Sequence, residues 1–409
     1  MRSFSLDKSK IKVLLLEGIH ENAALYLGEN GYTDVECLNG ALSGDELEKK
    51  LQGTHIIGIR SRTELRKSQL IKTPKLFAIG CFSIGTNQVD IQDAKMLGIP
   101  VFNAPFSNTR SVAELVIAEI IMLMRGIPEK NALAHNKIWM KSFNNSVEVR
   151  GKNLGIIGYG HIGSQVSILA ESLGMNIFYY DIEKKLSLGN SRPVSSLNEL
   201  LKISDTITIH VPLTDLTRNM ISKEQITLMK NGACLINASR GDVIDYKSVA
   251  DGLRLKQLSG VAADVFPGEP SSNDKPFEND LQEFNNVILT PHIAGSTLEA
   301  LANIGTEVAE KLVRYSDTGS TIGAVNFVEI ALQANASKQR FLHIHKNVPG
   351  VLGEINHYFS SRGINISAEY LQTDPDIGYV ILETESELDA SVLKDLKNIP
   401  HTIRVRILY

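Results

Sequence analysis

Three glycines that follow a predicted strand constrain this chain more than any other feature. Residues 152–157 are mostly apolar, as in a buried strand, and Gly158, Gly160 and Gly163 follow with the spacing G-x-G-x-x-G. A helical pattern over 164–173 comes next. The first glycine permits a tight turn, the second lets the backbone approach a pyrophosphate, and the third lets helix and strand pack closely. Because a helix N-terminus also offers N–H groups and partial positive charge, the pattern predicts a dinucleotide site.

A second strand, over 176–180, completes the βαβ unit and ends on Asp181. A carboxylate at this position accepts hydrogen bonds from the adenosine ribose hydroxyls and repels a 2′-phosphate. We therefore expect NAD rather than NADP as the cofactor. The alternative is a plain turn between two buried elements, but that interpretation does not explain why strand, helix and acidic strand end occur together.

The composition gives no basis for a nucleic-acid or membrane partner. The chain has 409 residues and a net charge of −4, with 43% hydrophobic and 22% charged residues, so no broad positive surface attracts polyanions. The three cysteines lack metal-ligand spacing, and we expect no metal site. The longest apolar segment, 115–124, is interrupted by Glu119 and is too short to span a bilayer. With no signal-peptide pattern at the start, we expect a cytoplasmic protein.

Alternating strand and helix signals predict an α/β protein with two doubly wound parallel-sheet domains. We expect a flavodoxin-like domain over 1–107 with a returning helix within 296–331, and a Rossmann domain over 108–295. Residues 332–339 are mostly small or polar, as in a linker. The order βαββαβ over 338–409 predicts a third, ferredoxin-like domain.

Three polar side chains follow successive strands of the predicted Rossmann domain: Arg240, Glu269 and His292. Ligands of open α/β sheets bind beyond the carboxyl ends of the strands, so these residues are expected at one edge. Histidine can take a hydroxyl proton near neutral pH, a neighbouring carboxylate raises its pKa and orients it, and a guanidinium can grip a substrate carboxylate. Each residue alone has a structural or surface interpretation; together, behind a dinucleotide turn, they predict hydride transfer to or from a 2-hydroxy acid.

The sequence blocks around these residues resemble the signatures of the D-isomer-specific 2-hydroxyacid dehydrogenases. They read N-A-S-R-G over 237–241, D-V-F-P-G-E-P over 264–270 and T-P-H-I-A-G over 290–295. Similar blocks lie over 60–63 and 102–114, and the resemblance covers essentially the whole chain. It implies a two-lobed fold with a catalytic Arg, Glu and His. The residues then expected to bind NAD are Gly158, Gly160, His161, Ile162, Gly163, Asp181, Ala238 and Asp264.

Within this family, the chain resembles the subgroup that acts on 3-phosphoglycerate. That resemblance implies oxidation to 3-phosphohydroxypyruvate in serine biosynthesis, with a possible side activity on 2-oxoglutarate. A phosphate needs local positive charge on an acidic chain, and Arg60, Ser61, Arg62 and Asn108 are the expected substrate contacts. The alternatives are a solvated loop at 60–62, a dehydrogenase for another 2-hydroxy acid, or a non-catalytic NAD-sensing protein.

The C-terminal domain resembles an ACT domain, a small sensor of amino acids. The H-x-N-x-P-G pattern over 345–350 implies an effector site with His345, Asn347 and Asn365, L-serine as inhibitor, and a homotetramer. The alternative is that the histidines of this strand decorate an exposed sheet face.

Two departures from related chains concern the hinges and the phosphate site. Ala294 precedes Gly295 at one hinge, and Asn335, Ala336 and Ser337 stand in the other linker, where relatives carry paired glycines. Asn39 replaces a lysine of the phosphate site. These changes leave the strength of serine inhibition and of phosphate binding open.

Overall fold

The computed structural model describes residues 6–270, 275–333, 339–385 and 391–408. The chain forms two compact units: one combines residues 1–107 with 301–409, and the other spans 108–300. The linker residues Asn335, Ala336 and Ser337 lie outside the described residues.

A parallel five-stranded sheet forms the first half of the first unit. Its strands are β1 Val13–Leu15, β2 Val35–Cys37, β3 Ile56–Ile59, β4 Ala78–Cys81 and β5 Val101–Asn103. The helices between them are α1 Glu21–Glu29, α2 Gly44–Leu51, α3 Lys67–Leu70 and α4 Ile91–Met96. The strand order β2-β1-β3-β4-β5 is that of flavodoxin-like folds, as predicted. The strands are short, and β1, β3 and β4 are buried throughout, which explains their apolar runs.

A long helix, α11 Leu298–Thr318, returns the chain to this sheet. A Cβ on Gly80 would lie within 3 Å of Val308 and Leu312, so the helix packs directly on β4. The expected returning helix is therefore present and covers one face of the sheet.

A four-stranded antiparallel sheet forms the rest of the first unit. Its elements are β13 Gln339–Lys346, α12 Val351–Ser360, β14 Ile366–Thr373, β15 Ile377–Thr384, α13 Ser391–Lys397 and β16 Thr402–Leu408. The order β14-β15-β13-β16 is ferredoxin-like, as predicted.

The two sheets of the first unit share one hydrophobic core. Leu342, Ile344 and Tyr379 of the antiparallel sheet belong to the same buried cluster as Leu312 and Tyr315 of α11. The Tyr379 hydroxyl also donates to the Gly319 carbonyl over 2.5 Å. This packing explains why the C-terminal part is not a separate compact unit.

The second unit contains a seven-stranded parallel sheet. It begins with α5 Thr109–Met124 and α6 Ile127–His135. The remaining elements are β6 Asn153–Ile157, α7 His161–Ser172, β7 Asn176–Tyr180, β8 Arg192–Pro193, α8 Leu197–Ile203, β9 Thr206–Ile209, α9 Lys223–Leu228, β10 Ala233–Asn237, α10 Tyr246–Arg254, β11 Leu258–Ala263 and β12 Val287–Leu289. The order β12-β11-β10-β9-β6-β7-β8 is the Rossmann order with one added strand. Its switch point lies between β6 and β9, next to the glycine turn.

Among the described residues, no helix is long and apolar enough to cross a membrane. Within the same ranges, no group of three or more His, Cys, Asp or Glu side chains is arranged to hold a metal ion.

Candidate active site

The glycine turn has the geometry that the sequence predicted for it. Gly158 has a φ of 89°, which is unfavourable for any residue with a side chain. A Cβ on Gly158 would meet the His210 carbonyl, and one on Gly163 would meet the Gly158 carbonyl, both closer than 3.0 Å. Apart from its neighbours in the chain, a Cβ on Gly160 would have no atom of the described residues within 4 Å. Gly158 and Gly163 therefore serve internal packing, whereas Gly160 leaves open space for a ligand.

Helix α7 begins at His161, three residues earlier than predicted, so the N–H groups of its first turn face the glycine turn. Its N-cap, Gly160, provides no side-chain cap. Asp181 lies at the end of the adjacent strand, where its carboxylate accepts hydrogen bonds from Tyr159 N (2.8 Å) and Glu183 N (2.9 Å). The start of a helix, an open glycine and a nearby carboxylate fit the pyrophosphate and ribose of NAD.

His292 and Glu269 form a hydrogen-bonded pair. The His292 Nδ1 lies 2.7 Å from Glu269 Oε2, and Glu269 Oε1 accepts a hydrogen bond from Phe266 N at 3.0 Å. The hydrogen bond to Glu269 raises the pKa of His292, although partial burial opposes it. Burial acts to raise the pKa of Glu269, but the bonds from His292 and Phe266 outweigh it and lower that pKa. The pair keeps an ionised carboxylate beside an imidazole whose other nitrogen, Nε2, is left for a substrate.

Asp264 holds the loop that carries His292. Its buried carboxylate accepts hydrogen bonds from Thr290 Oγ1 (2.6 Å), Ile293 N (2.8 Å) and Ala294 N (2.9 Å), and its carbonyl accepts one from His292 N. His292 has a φ of 55°, a left-handed conformation that is uncommon for non-glycine residues. The sequence predicts Asp264 as a cofactor contact but does not indicate this positioning contact, because hydrogen bonds across a loop leave no periodic signal.

Arg240 is exposed and lies in a loop that hydrogen bonds of the Asn237 side chain stabilise. The buried Asn237 amide accepts hydrogen bonds from Ser239 N and Oγ and donates to the Arg240 carbonyl. A Cβ on Gly241 would collide with the backbone of Phe266, so this loop lies against the loop that leads to Glu269. The structure thus brings the loops of Arg240, Glu269 and His292 to one edge of the sheet, as predicted. Asn237 was not predicted as a site residue.

Ala238 and His210 follow adjacent strands at this edge. Ala238 is half-buried directly after β10. Burial lowers the pKa of His210 to about 3, and its Nε2 pairs with Thr208 Oγ1 at 2.9 Å. His210 is therefore neutral at physiological pH, and its carbonyl packs against Gly158. No sequence pattern indicates this role.

Asn108 occupies the N-cap position of α5 without capping the helix through its side chain. It is the residue before the helix, but its side chain makes no capping hydrogen bond, and its buried Oδ1 has no partner among the described residues. A Cβ on Gly295 would overlap the Asn108 amide. Gly295 is therefore required for close packing here, and the role of Asn108 in substrate binding stays a prediction.

In the first unit, the loop of Arg60, Ser61 and Arg62 wraps around the buried carboxylate of Glu17. Glu17 accepts hydrogen bonds from the backbone N–H groups of residues 60, 61, 62 and 63 over 2.8–3.2 Å. Burial acts to raise the pKa of Glu17, but these bonds lower it. Because the backbone donors are already used, any phosphate would be held by the arginine side chains. The Arg62 Nε lies 3.7 Å from Glu17 Oε2, but the Arg62 side chain is 59% exposed and so remains accessible.

The predicted effector residues also lie in the first unit. His345 is buried on β13, with its Nδ1 3.4 Å from His343 Nδ1, whereas Asn365 is exposed before β14. Asn347 Nδ2 donates to the Asp374 carbonyl over 2.6 Å. The alternative of an exposed histidine face is wrong, because His343 and His345 are both buried. Burial lowers the pKa of His343 to about 4 and lowers that of His345 as well.

Glu119 is a buried carboxyl on α5, 1% exposed, and neither of its oxygens has a hydrogen-bond partner among the described residues. Burial, with the Asp264 carboxylate nearby, raises the pKa of Glu119 to about 8. Glu119 is thus protonated at neutral pH, so it places no further negative charge beside the Asp264 carboxylate.

We expect Glu119→Gln to remove a pH-dependent loss of stability. The folded protein keeps a proton that the unfolded chain releases between about pH 4.5 and 8, so stability falls as pH rises through this window. At about 1.4 kcal/mol per pKa unit, the parent should lose about 2–3 kcal/mol of unfolding free energy between pH 6 and pH 9 that the variant does not lose. Urea unfolding at both pH values measures this, with Glu129→Gln on exposed α6 as control. Parallel pH dependence of parent and variant would contradict it.

Comparisons with known proteins agree with this geometry. Residues 117–294 match the model of the D-isomer specific 2-hydroxyacid dehydrogenase NAD binding domain, and residues 341–404 match the AHAS small subunit-like ACT domain. The chain is 54% identical over 99% of both chains to a Haemophilus influenzae D-3-phosphoglycerate dehydrogenase. It is also 54% identical, over the full length of both chains, to an Escherichia coli K12 protein of that name.

Solved structures show the same likeness. A D-lactate dehydrogenase from Aquifex aeolicus, complexed with NAD and lactic acid, is 30% identical with a TM-score of 0.64 over 74% of this chain and 95% of that one. A D-2-hydroxyisocaproate dehydrogenase, 24% identical, shares the fold with a TM-score of 0.70 over 78% of this chain and 100% of that one.

Proposed function

Because the chain belongs to the D-isomer-specific 2-hydroxyacid dehydrogenase family, we propose that it oxidises 3-phospho-D-glycerate to 3-phosphohydroxypyruvate, the first step of L-serine biosynthesis. Family membership makes it an NAD-dependent oxidoreductase. The observation that carries the substrate is the 54% identity, over essentially complete chains, to relatives named D-3-phosphoglycerate dehydrogenase. The proposed location is the cytoplasm.

The proposed chemistry follows from the strand-end residues. NAD, when bound, accepts the hydride from C2 of the substrate. His292 takes the proton of the C2 hydroxyl through Nε2, because Nδ1 is engaged by Glu269. Glu269 stabilises the imidazolium that results, and Arg240 binds the substrate carboxylate with its guanidinium. In the reverse direction, the same imidazolium returns the proton.

The phosphate is assigned to the side chains of Arg60 and Arg62, with Ser61 and Asn108 as further contacts. Glu17 supports this division, since it occupies the backbone donors, and the Arg62 side chain, although its Nε lies 3.7 Å from Glu17 Oε2, is 59% exposed. Asn39 is exposed and stands where the resemblance implies a lysine of the phosphate site, so one positive charge expected for phosphate binding is absent. This replacement favours testing 2-oxoglutarate as a second substrate.

The regulatory part of the proposal is inhibition by L-serine at His345, Asn347 and Asn365 in a homotetramer. Support comes from the ACT match and from an exposed apolar segment that suits a subunit contact. In that segment, Trp139 is 88% exposed and Phe143 is 87% exposed.

One experiment tests substrate, cofactor and regulation together: NADH oxidation by the full chain with phosphohydroxypyruvate and with 2-oxoglutarate, each with and without L-serine. We expect faster turnover of phosphohydroxypyruvate and inhibition by serine. Turnover of 2-oxoglutarate alone would assign another 2-hydroxy acid as substrate. Absence of any NADH oxidation would favour the NAD-sensing alternative, against which the presence of Arg240, Glu269 and His292 argues.

We expect Arg62→Ala to lower kcat/KM for phosphohydroxypyruvate by about 10–100-fold, because one charge-assisted phosphate contact is worth about 1.5–3 kcal/mol. The value for 2-oxoglutarate, which has no phosphate, should change much less. Lys67→Ala is the control, since Lys67 is exposed and pairs with Asp93. Equal losses on both substrates would remove Arg62 from the phosphate site.

A further inference from the structure

Glu17 is a buried carboxylate to which the proposed reaction assigns no step. It lies two residues beyond the end of β1, and it is only 3% exposed. Its φ of 64° is a left-handed conformation that is uncommon for a residue with a side chain. A buried charge and a strained backbone at one residue are both costly, so they persist only where surrounding contacts compensate them. Strain of this kind is concentrated at functional sites, which makes Glu17 a candidate for a functional role.

Four consecutive backbone N–H groups converge on the Glu17 carboxylate. Its Oε1 accepts hydrogen bonds from Arg60 N at 3.2 Å and Thr63 N at 2.8 Å. Its Oε2 accepts hydrogen bonds from Ser61 N at 3.1 Å and Arg62 N at 2.9 Å. Although burial acts to raise the pKa of Glu17, these bonds lower it, so the carboxylate is ionised at neutral pH. Successive N–H groups aimed at one point form a concavity that binds anions, and here the anion belongs to the chain itself.

Glu17 also joins this arginine loop, residues 60–63, to the segment that carries Asn39. Its backbone N–H donates to the Gly40 carbonyl over 3.1 Å. Its carbonyl accepts a hydrogen bond from Arg60 Nη1 at 3.4 Å. Both segments that the sequence associates with the substrate phosphate are therefore attached to one residue.

A second side chain, Gln88, holds the arginine loop at another point. Its buried amide donates to the Arg60 carbonyl and to Ser83 Oγ, the latter over 3.3 Å. The loop backbone is thus fixed by Glu17 and Gln88, whereas the Arg62 side chain remains exposed with its Nε 3.7 Å from Glu17 Oε2. A fixed backbone restricts the positions that the guanidinium groups can reach, and such restriction is what a recognition site needs from its supporting residues.

We propose that Glu17 positions Arg60 and Arg62 for the substrate phosphate and thereby sets the preference for a phosphorylated 2-keto acid, an inference that rests on the proposed function. Because Glu17 occupies the four N–H donors, a phosphate cannot bind to the loop backbone and is left to the two guanidinium groups, whose planar donors match its oxygens. Glu17 does not touch the substrate in this assignment. It is a positioning residue that acts through the loop.

The first test compares kcat and KM for phosphohydroxypyruvate and for 2-oxoglutarate in Glu17→Gln. This variant keeps the shape of the side chain, but its NH2 group faces N–H donors that it cannot satisfy. We expect KM for phosphohydroxypyruvate to rise about tenfold with kcat changed less than about threefold, while KM for 2-oxoglutarate stays within about twofold of the parent. Glu199→Gln is the matched control, because the Glu199 carboxylate also accepts a backbone hydrogen bond, from Ser195 N at 2.9 Å, but belongs to the second unit. Its constants should equal those of the parent.

The second test is chemical rescue of Glu17→Gly. Glycine accommodates a φ of 64°, and its lack of a side chain leaves the four N–H donors open to a small carboxylate such as formate. We expect sodium formate to lower the raised KM for phosphohydroxypyruvate in this variant, whereas sodium chloride at equal ionic strength should not. Formate should not lower KM in the parent, where Glu17 already occupies the donors. A thermal melt of each variant verifies that the folded protein is being assayed.

Three results would overturn the role of Glu17: an unchanged KM for phosphohydroxypyruvate in Glu17→Gln, equal rises of KM for both substrates, or no rescue of Glu17→Gly by formate. Failure of the proposed function is a separate result, because it is seen in the parent alone as the absence of any preference for phosphohydroxypyruvate over 2-oxoglutarate. That result would overturn the specificity role of Glu17 as well, since no phosphate preference would exist for it to set.

Discussion

His292→Asn should lower kcat by about 10²–10⁴ while the protein stays folded, because the reaction loses its general base. Asparagine tolerates the left-handed φ of 55° found at this position better than most residues, so the backbone hydrogen bonds to Asp264 are expected to persist. Steady-state NADH oxidation and a thermal melt of the same sample measure both effects. The replacement of an exposed histidine, His135→Asn on α6, is the matched control.

A pH profile separates a base from a merely structural histidine. The carboxylate of Glu269 raises the pKa of His292, and oxidation needs the neutral imidazole, so kcat/KM for oxidation should rise with pH through that pKa. In Glu269→Gln, the midpoint of this rise should move to lower pH. Unchanged activity of His292→Asn, or an unmoved midpoint in Glu269→Gln, would exclude the roles assigned to the pair.

Alanine at the glycine turn should separate folding from cofactor binding. Gly163→Ala places a methyl group against the Gly158 carbonyl, a backbone atom that no rotamer change can move away. We expect a destabilisation of about 3 kcal/mol or more, at the upper end of overpacking effects, and a melting temperature lowered by about 6–12 °C. The added methyl group of Gly160→Ala meets no atom of the described residues beyond its chain neighbours, so this variant should melt near the parent. Its NADH affinity should fall at least about tenfold, because the methyl group blocks the approach of the pyrophosphate.

Thermal melting and NADH fluorescence titration of both variants check this prediction. Gly28→Ala is the control: this glycine is exposed in helix α1 with no atom near its would-be Cβ, so alanine should stabilise by about 0.5–1 kcal/mol. A stable Gly163→Ala, or a Gly160→Ala that binds NADH as tightly as the parent does, would contradict the division of roles.

The elements were predictable because their signals are local. Apolar runs between turns indicated the strands of both parallel sheets; the strand predicted over 152–157 is observed over Asn153–Ile157, and the one predicted over 176–180 has those same bounds. The C-terminal order βαββαβ was likewise readable from alternating patterns. Less was predictable where a contact joins distant segments: Glu17 under the loop of residues 60–63, or Asp264 under the loop of His292. Such contacts depend on a single side chain and leave no periodicity.

The sequence by itself determined the fold class, the dinucleotide turn and the identity of the three strand-end residues, since short-range spacing and residue type suffice for these. Only the tertiary structure decided that His292 Nδ1 lies 2.7 Å from Glu269, that buried Glu119 has no hydrogen-bond partner among the described residues, and that the N–H groups of residues 60–63 converge on Glu17. These features arise when segments far apart in the chain are brought together, and burial and charge at such places depend on every neighbour at once. The spacing of the glycines predicts a dinucleotide cofactor. The pKa shifts of His292 and Glu269, by contrast, depend on contacts that only the folded chain makes.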